Sequence, residues 1–299
     1  MEQLAAPGLI ALAGRILGNS VVSVLFKTLS RSHGSVAITA VFGLIGSLAL
    51  IPVVLILALR NPAILNGLPP ALPWLALSSI FFTVGLITFM WALRQGDINL
   101  LIPLTSLSFI FLYAMELATG SNHFSWLALA GILLVMLGLI MLNLSPGLSL
   151  ATALNPLAVV RRPGAAGALA YAFLLACCRM FDSRGVALSE PLPYALAGDL
   201  MVTVLAFGVL AFRHRLREPM QIIRESPLPA FSASILGIGS YILLLVCFGY
   251  FHPSQIEPTS QISVIIAVLI GTIHFREPLH LRIPGGILIC LGAVAVILS

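Results

Sequence analysis

The chain has 299 residues, 60% of them hydrophobic and only 8% charged, with a mean hydropathy of +1.10. An ordinary soluble domain carries charge on roughly a quarter of its residues, so the composition excludes that class and points to a polytopic membrane protein. The net charge of +5 then reads as loop charge that sets orientation, and no nucleic-acid partner is expected.

A helix needs about 20 mostly apolar residues to cross a hydrocarbon core about 30 Å thick, and its backbone must satisfy its own hydrogen bonds there. Ten stretches fit. The first five run Pro7 to Leu29, Val36 to Leu59, Leu72 to Leu93, Ile98 to Ala118 and Phe124 to Leu144. The second five run Gly164 to Phe181, Tyr194 to Phe212, Leu228 to Tyr250, Gln255 to Ile273 and Leu281 to Leu298. The expected fold class is therefore an all-α membrane protein of ten transmembrane helices.

Along the chain, the first span carries Arg15 near its middle, with Asn19, Ser20 and Ser23 following; Met1 to Ala6 lacks a basic residue, so retention of this span rather than signal cleavage is expected. The third holds Phe81, Phe82, Phe89 and Trp91. The fourth begins around Pro103, continues through Thr105, Ser106 and Ser108, and ends near Glu116. Arg179 and Asp182 come at the end of the sixth, where snorkelling to the headgroups accounts for them. Asp199 lies early in the seventh, and the ninth opens with Gln255, Glu257, Pro258, Thr259, Ser260 and Gln261. Cys177, Cys178, Cys247 and Cys290 all fall inside spans and read as small apolar packing residues. The chain has no HExxH, paired CxxC, Walker loop, dinucleotide fingerprint or GxSxG elbow. A soluble-type enzyme, an ATP-driven pump, a metal site and a cofactor are accordingly not expected.

The halves repeat. Gly131 and Gly138 are matched by Gly285 and Gly292, 154 residues on; Pro103 is matched by Pro258 at 155; Pro7 and Pro73 are matched by Pro163 and Pro229 at 156. The chain divides in the Pro-rich stretch from Ser145 to Pro163 into a first five-helix repeat (1–148), a connector (149–163) and a second repeat (164–299). Five is odd, so the second copy enters the membrane from the opposite side. Two inverted five-helix repeats with a site near the midplane are the usual frame of secondary transporters.

In that frame, Pro103 and Pro258, the glycine pairs, and the Arg276-Glu277-Pro278 turn before the last span resemble the drug/metabolite transporter superfamily, in its ten-helix EamA group of metabolite exporters. The resemblance covers both halves. Two departures stand out: Asn122-His123 occupies the place of the first repeat's usual Gly-Glu, and a tryptophan often present in the first span is missing. The resemblance implies export of a small metabolite, such as an amino acid or related compound, by alternating access, in the bacterial inner membrane, as a monomer or homodimer.

Charged groups inside spans each cost about 2.5–3.5 kcal/mol on insertion scales, so they mark candidate function. Arg15 is expected to line a central cavity and bind either a substrate anion or Glu257. Asn19, Ser23, Phe82, Thr105, Ser108, Gln255 and Gln261 complete the candidate substrate lining, although many such hydroxyls bond backbone carbonyls instead. Glu257 and Asp199 are the candidate coupling carboxylates if protons drive transport, and Pro103 and Pro258 are the candidate hinges. Glu116 reads as an interfacial carboxylate. Glycines seven apart on the fifth and tenth spans share a face and permit close helix approach.

Loops on one side hold Lys27, Arg31, Arg94, Arg161, Arg162, Arg213, Arg215, Arg217, Arg224, Arg276 and Arg282, against Arg60, Arg179 and Arg184 on the other. This bias puts both termini outside the cytoplasm, whereas the resemblance implies cytoplasmic termini. Two other classes share much of this pattern: a lipid or lipid-precursor flippase, which opens laterally to the bilayer, and a channel or scaffold without a closable substrate site.

Overall fold

A computed structural model of the chain describes residues 6–30, 32–95, 104–142, 164–266 and 283–299. Every regular element among them is a helix. These are α1 (Ala6–Ser30), α2 (Ser35–Arg60), a 3-10 turn (Pro62–Leu65), α3 (Leu68–Gln95), α4 (Leu107–Ala118) and α5 (Trp126–Leu142). After the connector come α6 (Ala165–Val186), α7 (Pro191–Phe212), α8 (Glu218–Glu225), α9 (Pro227–Cys247), α10 (Pro253–Ser260) and α11 (Ile283–Ile297).

Five helical segments are long and apolar enough to cross a membrane: Ser35–Arg60, Pro62–Phe89, Ala165–Val186, Pro191–Phe212 and Pro227–Cys247. By length and composition they make the chain an integral membrane protein. Four shorter apolar helices, Ala6–Val22, Leu107–Ala118, Trp126–Leu142 and Pro284–Ile297, coincide with other expected spans. Apolar side chains left outside the protein fit that solvent. Ile51, Val53, Leu55, Ile56 and Leu59 are all exposed along the second half of α2, which water would penalise and hydrocarbon does not.

Two compact units form, each drawing on both expected repeats: Met1–Thr83 with Phe181–Phe251, and Val84–Met180 with His252–Ser299. In the first, α1 packs on α9 and α2 on α7. Ala37, Ile38, Ala40 and Val41 of α2 meet Ala206 and Leu210 of α7, and Ala230 and Ala233 of α9, in one buried cluster. Small residues let the backbones approach closely here, because helices in lipid gain nothing from hydrophobic exclusion and must associate by packing. Hydropathy gave no sign of α8. Pro219 opens this short helix, Ile222 buries against the α2 cluster, and Met220 and Arg224 stay exposed.

In the second unit α5 and α11 form the tightest pairing. Gly131 faces Gly292 and Gly138 faces Gly285, so near that a Cβ on any of the four would lie 2.5–2.8 Å from a carbonyl oxygen of the partner helix. Ile132, Val135 and Leu139 of α5 close the seam with Ile289 and Val296 of α11. Around this pair stand α4, α10, α6 and the end of α3, the last two joined by the stacked rings of Phe89 and Tyr171, centroids 4.7 Å apart. The expected connector 149–163, Pro103, and the turn 276–278 lie outside the described residues.

Candidate functional site

Local sequence makes α10 a short, stiffly started and loosely ended helix. Pro253 fills its first turn, where a missing N–H is harmless. Gln255 Oε1 accepts the His252 N–H at 3.0 Å in a capping box. Pro258, inside the helix, has no N–H to give the Ser254 carbonyl, and three residues later the helix breaks at Gln261, with φ −68° and ψ −12°. Helical residues resume at 262–266 behind a tight i to i+3 bond from the Val264 N–H to the Gln261 carbonyl, 2.9 Å.

The first expected repeat carries the same interruption. Ser106, offset by 155 from Gln261, breaks the helical run with φ −69° and ψ −13°, and the Phe109 N–H donates to the Ser106 carbonyl at 3.0 Å. Each break falls three residues after a proline, Pro103 or Pro258. A short 3-10-like step inside a helix marks a place where it can bend.

Glu257 sits in the middle of α10, with Oε1 2.7 Å from Nε of Arg179 on α6. Both side chains are largely buried, 10% and 14% exposed, and Tyr171 lies within electrostatic reach of both. This corrects the expectation that Arg179 snorkels. α6 runs past Phe181 to Val186, so Arg179 lies well inside it and meets a carboxylate. The loop count loses one residue on its smaller side, leaving Arg60 and Arg184.

Asp182 was also expected at a headgroup and is instead 1% exposed. Its Oδ1 accepts hydroxyls from Ser78 of α3 at 2.5 Å, Tyr241 of α9 at 3.1 Å and Tyr194 of α7 at 3.3 Å, tying four helices of the first unit. Arg184 caps the Trp74 ring nearby at 5.5 Å. One signal for both Arg179 and Asp182 was present in the sequence: Gly185 and the polar Ser189-Glu190 mark a later helix end than Phe181.

The remaining expected site residues divide. Arg15 is 5% exposed on α1 and within electrostatic reach of Cys247 on α9. Asp199 accepts a hydrogen bond from Ser47 of α2 at 3.1 Å, in a space that exists because residue 46 is glycine; a Cβ there would lie 2.6 Å from the carboxylate. Gln255 uses both ends of its amide structurally, the oxygen in the capping box and Nε2 donating to the Val296 carbonyl at 3.3 Å. Thr259 and Ser260 donate to the carbonyls of Gln255 and Ile256, each at 2.7 Å, and Ser20 to that of Ile16 at 2.7 Å. Ser108 is buried on α4, while Asn19, Phe82, Thr105 and Gln261 are half-buried. The side chain of Ser23 lies outside the described residues. Among the described residues no group of three or more His, Cys, Asp and Glu is arranged to hold a metal ion.

The second unit therefore brings together a buried ion pair, a broken helix carrying one of its members, and an aromatic pair beside the other. No family model matches the chain, and no curated protein does. Solved structures do match, among them a crystal structure that covers 97% of this chain and 96% of its own, with TM-score 0.74 at 17% identity. At that identity the likeness is one of fold alone.

Proposed function

We propose that this protein is a secondary transporter of the inverted-repeat kind, exporting a small metabolite such as an amino acid or related compound by alternating access, and that it belongs with the EamA-type exporters it resembles. The observation that carries this reading is the matched pair of helix breaks at Ser106 and Gln261, one of them on the element that holds the Arg179–Glu257 pair. Interrupted helices at corresponding places in two repeats are the best sequence-level pointer to a transporter's binding site, and an ion pair kept in so apolar a setting marks a substrate or ion path.

Helix pairing supports the two-repeat frame. In terms of the ten expected spans, the second packs on the seventh, the fourth on the ninth and the fifth on the tenth, each repeat element meeting its own counterpart. The first packs on the eighth, and its mirror, the sixth on the third, is made by Phe181 with Trp74 and Phe81, and by Tyr171 with Phe89. A pseudo-two-fold relation between repeats predicts this set of pairs.

Proteoliposome counterflow tests the reading. Radiolabelled amino acids should exchange across vesicles holding the wild type and fail to do so with Glu257→Gln or Arg179→Gln. An imposed pH gradient should drive uptake in the wild type, and Asp199→Asn or Glu257→Gln should abolish that response if the altered residue couples to protons. Counterflow that survives both Arg179→Gln and Glu257→Gln would remove the ion pair from transport.

A further inference from the structure

Glu116 was read from sequence as an interfacial carboxylate, and the structure gives it a different part. It ends α4 with 1% exposure, and its Oε1 accepts the backbone N–H of Ser254 at 2.8 Å. Its Oε2 accepts both the Ser254 hydroxyl, in a very short bond, and Nδ2 of Asn122 at 3.1 Å. Asn122 Nδ2 also reaches Ser254 Oγ at 3.4 Å. Ser254 is the second residue of α10, 2% exposed, three residues before Glu257.

One carboxylate from the end of one broken span thus caps the start of the other. A carboxylate accepting charge-assisted bonds at a helix N-terminus, where the backbone N–H groups lack intrahelical partners, is a strong and directional contact. At the other end α10 is uncoupled by Pro258 and the break at Gln261. A lever eight residues long, loose at one end, is set at its start by this clasp and beyond it by the Gln255 and Glu257 contacts.

We infer that Glu116, with Asn122, is a positioning residue whose clasp on Ser254 sets α10, and with it Glu257, in the state seen here, and that the clasp opens and closes in each transport cycle. The inference rests on the transport reading above. It gives the Asn122-His123 departure from the family pattern a use, because Asn122 supplies an amide donor that completes the clasp.

Two experiments decide it. In a background with Cys177, Cys178, Cys247 and Cys290 replaced, Glu116→Cys with Ser254→Cys is joined by a short, reducible bis-methanethiosulfonate in proteoliposomes, and counterflow of a radiolabelled amino-acid mixture is followed. A moving clasp predicts loss of at least nine-tenths of the exchange on joining and its return on reduction. A cap that never opens predicts unchanged exchange, which overturns the inference. Independently of any substrate, amide hydrogen exchange over residues 254–257 should rise about tenfold in Glu116→Gln and less in Ser254→Ala, which keeps the N–H bond, while α5 and α11 stay as in the wild type. If no labelled amino acid exchanges in the wild type, the amino-acid transport reading fails; if the wild type exchanges and the unjoined double-cysteine variant does not, that reading stands, and in either case the hydrogen-exchange result alone judges the clasp. Unaltered exchange over 254–257 in Glu116→Gln rejects it.

Discussion

Gly131→Ala separates the packing read from the structure from a generic tolerance of small residues. The added Cβ would lie 2.7 Å from the Gly292 carbonyl oxygen and 2.6 Å from Val296 Cγ2, against 3.4 Å at the near edge of ordinary contact. The difference, 3.4 − 2.7, is 0.7 Å, and the obstacle is backbone, which has no rotamer to escape into. α5 and α11 must part by about that much, and a radial gap of about 0.5–1 Å forfeits a quarter to a half of each dispersion well along the seam. Overpacking of this kind costs about 1–3 kcal/mol. Gly208, inside α7, has nothing within 4 Å of its would-be Cβ, so Gly208→Ala removes only the helix penalty of glycine and should stabilise by up to about 1 kcal/mol. The two substitutions are chemically the same and are expected to differ in sign. Thermal unfolding of the purified protein in one detergent, followed by tryptophan fluorescence, reads both. Gly131→Ala with Gly292→Ala should cost less than the sum of the singles, since the first already opens the seam. Equal midpoints for Gly131→Ala and Gly208→Ala would refute the close approach of the two helices.

Neutralising one member of the buried pair, by Arg179→Gln or Glu257→Gln, should destabilise by about 3–5 kcal/mol, and replacing both with apolar residues should recover part of that; strictly additive losses in thermal unfolding would mean the two do not interact. Ser78→Ala and Tyr241→Phe should each lower stability by about 1–3 kcal/mol, because each removes a hydroxyl from the buried Asp182 carboxylate, and a midpoint unchanged in both would deny that contact. Arg213, Arg215, Arg217 and Arg224 are exposed around α8, beside exposed Phe212, Leu216 and Met220. Replacing the four arginines with glutamine should abolish any extra thermal stability that phosphatidylglycerol gives over phosphatidylcholine, at about 1 kcal/mol per arginine near an anionic surface; the same lipid response in wild type and variant would exclude these side chains as the contact.

Hydropathy was legible because in lipid it is imposed by the solvent. Spans such as Val36 to Leu59 and Tyr194 to Phe212 match α2 and α7 to within a few residues, since a charged residue cannot enter without a partner and so the polar ends are sharp. The same rule misled at α6. Arg179 and Asp182 looked like a polar end, when each had a partner far away in sequence: Glu257 in one case, and Ser78 and Tyr241 in the other, with Tyr194 nearer by on the next helix. Pair partners separated by some 60–100 residues leave no periodic trace. Glycine spacing on the fifth and tenth spans was informative because it is local to each helix, and the faces it marked meet. α8 was invisible for the opposite reason: eight residues with two glutamates and an arginine carry no hydropathy peak, and its few apolar residues, Pro219, Ile222 and Ile223, make its packing contacts with the protein. Gln255 shows the limit of reading polar residues in spans as a lining. A side chain able to cap a helix satisfies orphan backbone groups first.

The second unit joins two kinds of helix contact that differ in how they can yield. α5 and α11 touch backbone to backbone through four glycines over two turns, and such a seam loses contacts steeply with separation. α10 carries three polar contacts made by side chains: the Glu116 clasp at its start, the Gln255 bond to Val296 on α11, and the Glu257 ion pair with Arg179 on α6. Each of those can be exchanged for an equivalent polar or charged partner without leaving a polar group bare in hydrocarbon. A helix so attached, with proline at its first turn and again just before its break, can move while the glycine seam stays shut. That division of labour is what the proposed alternating access would require of a scaffold and its moving part, and it follows from which residues carry the contacts rather than from how many contacts there are.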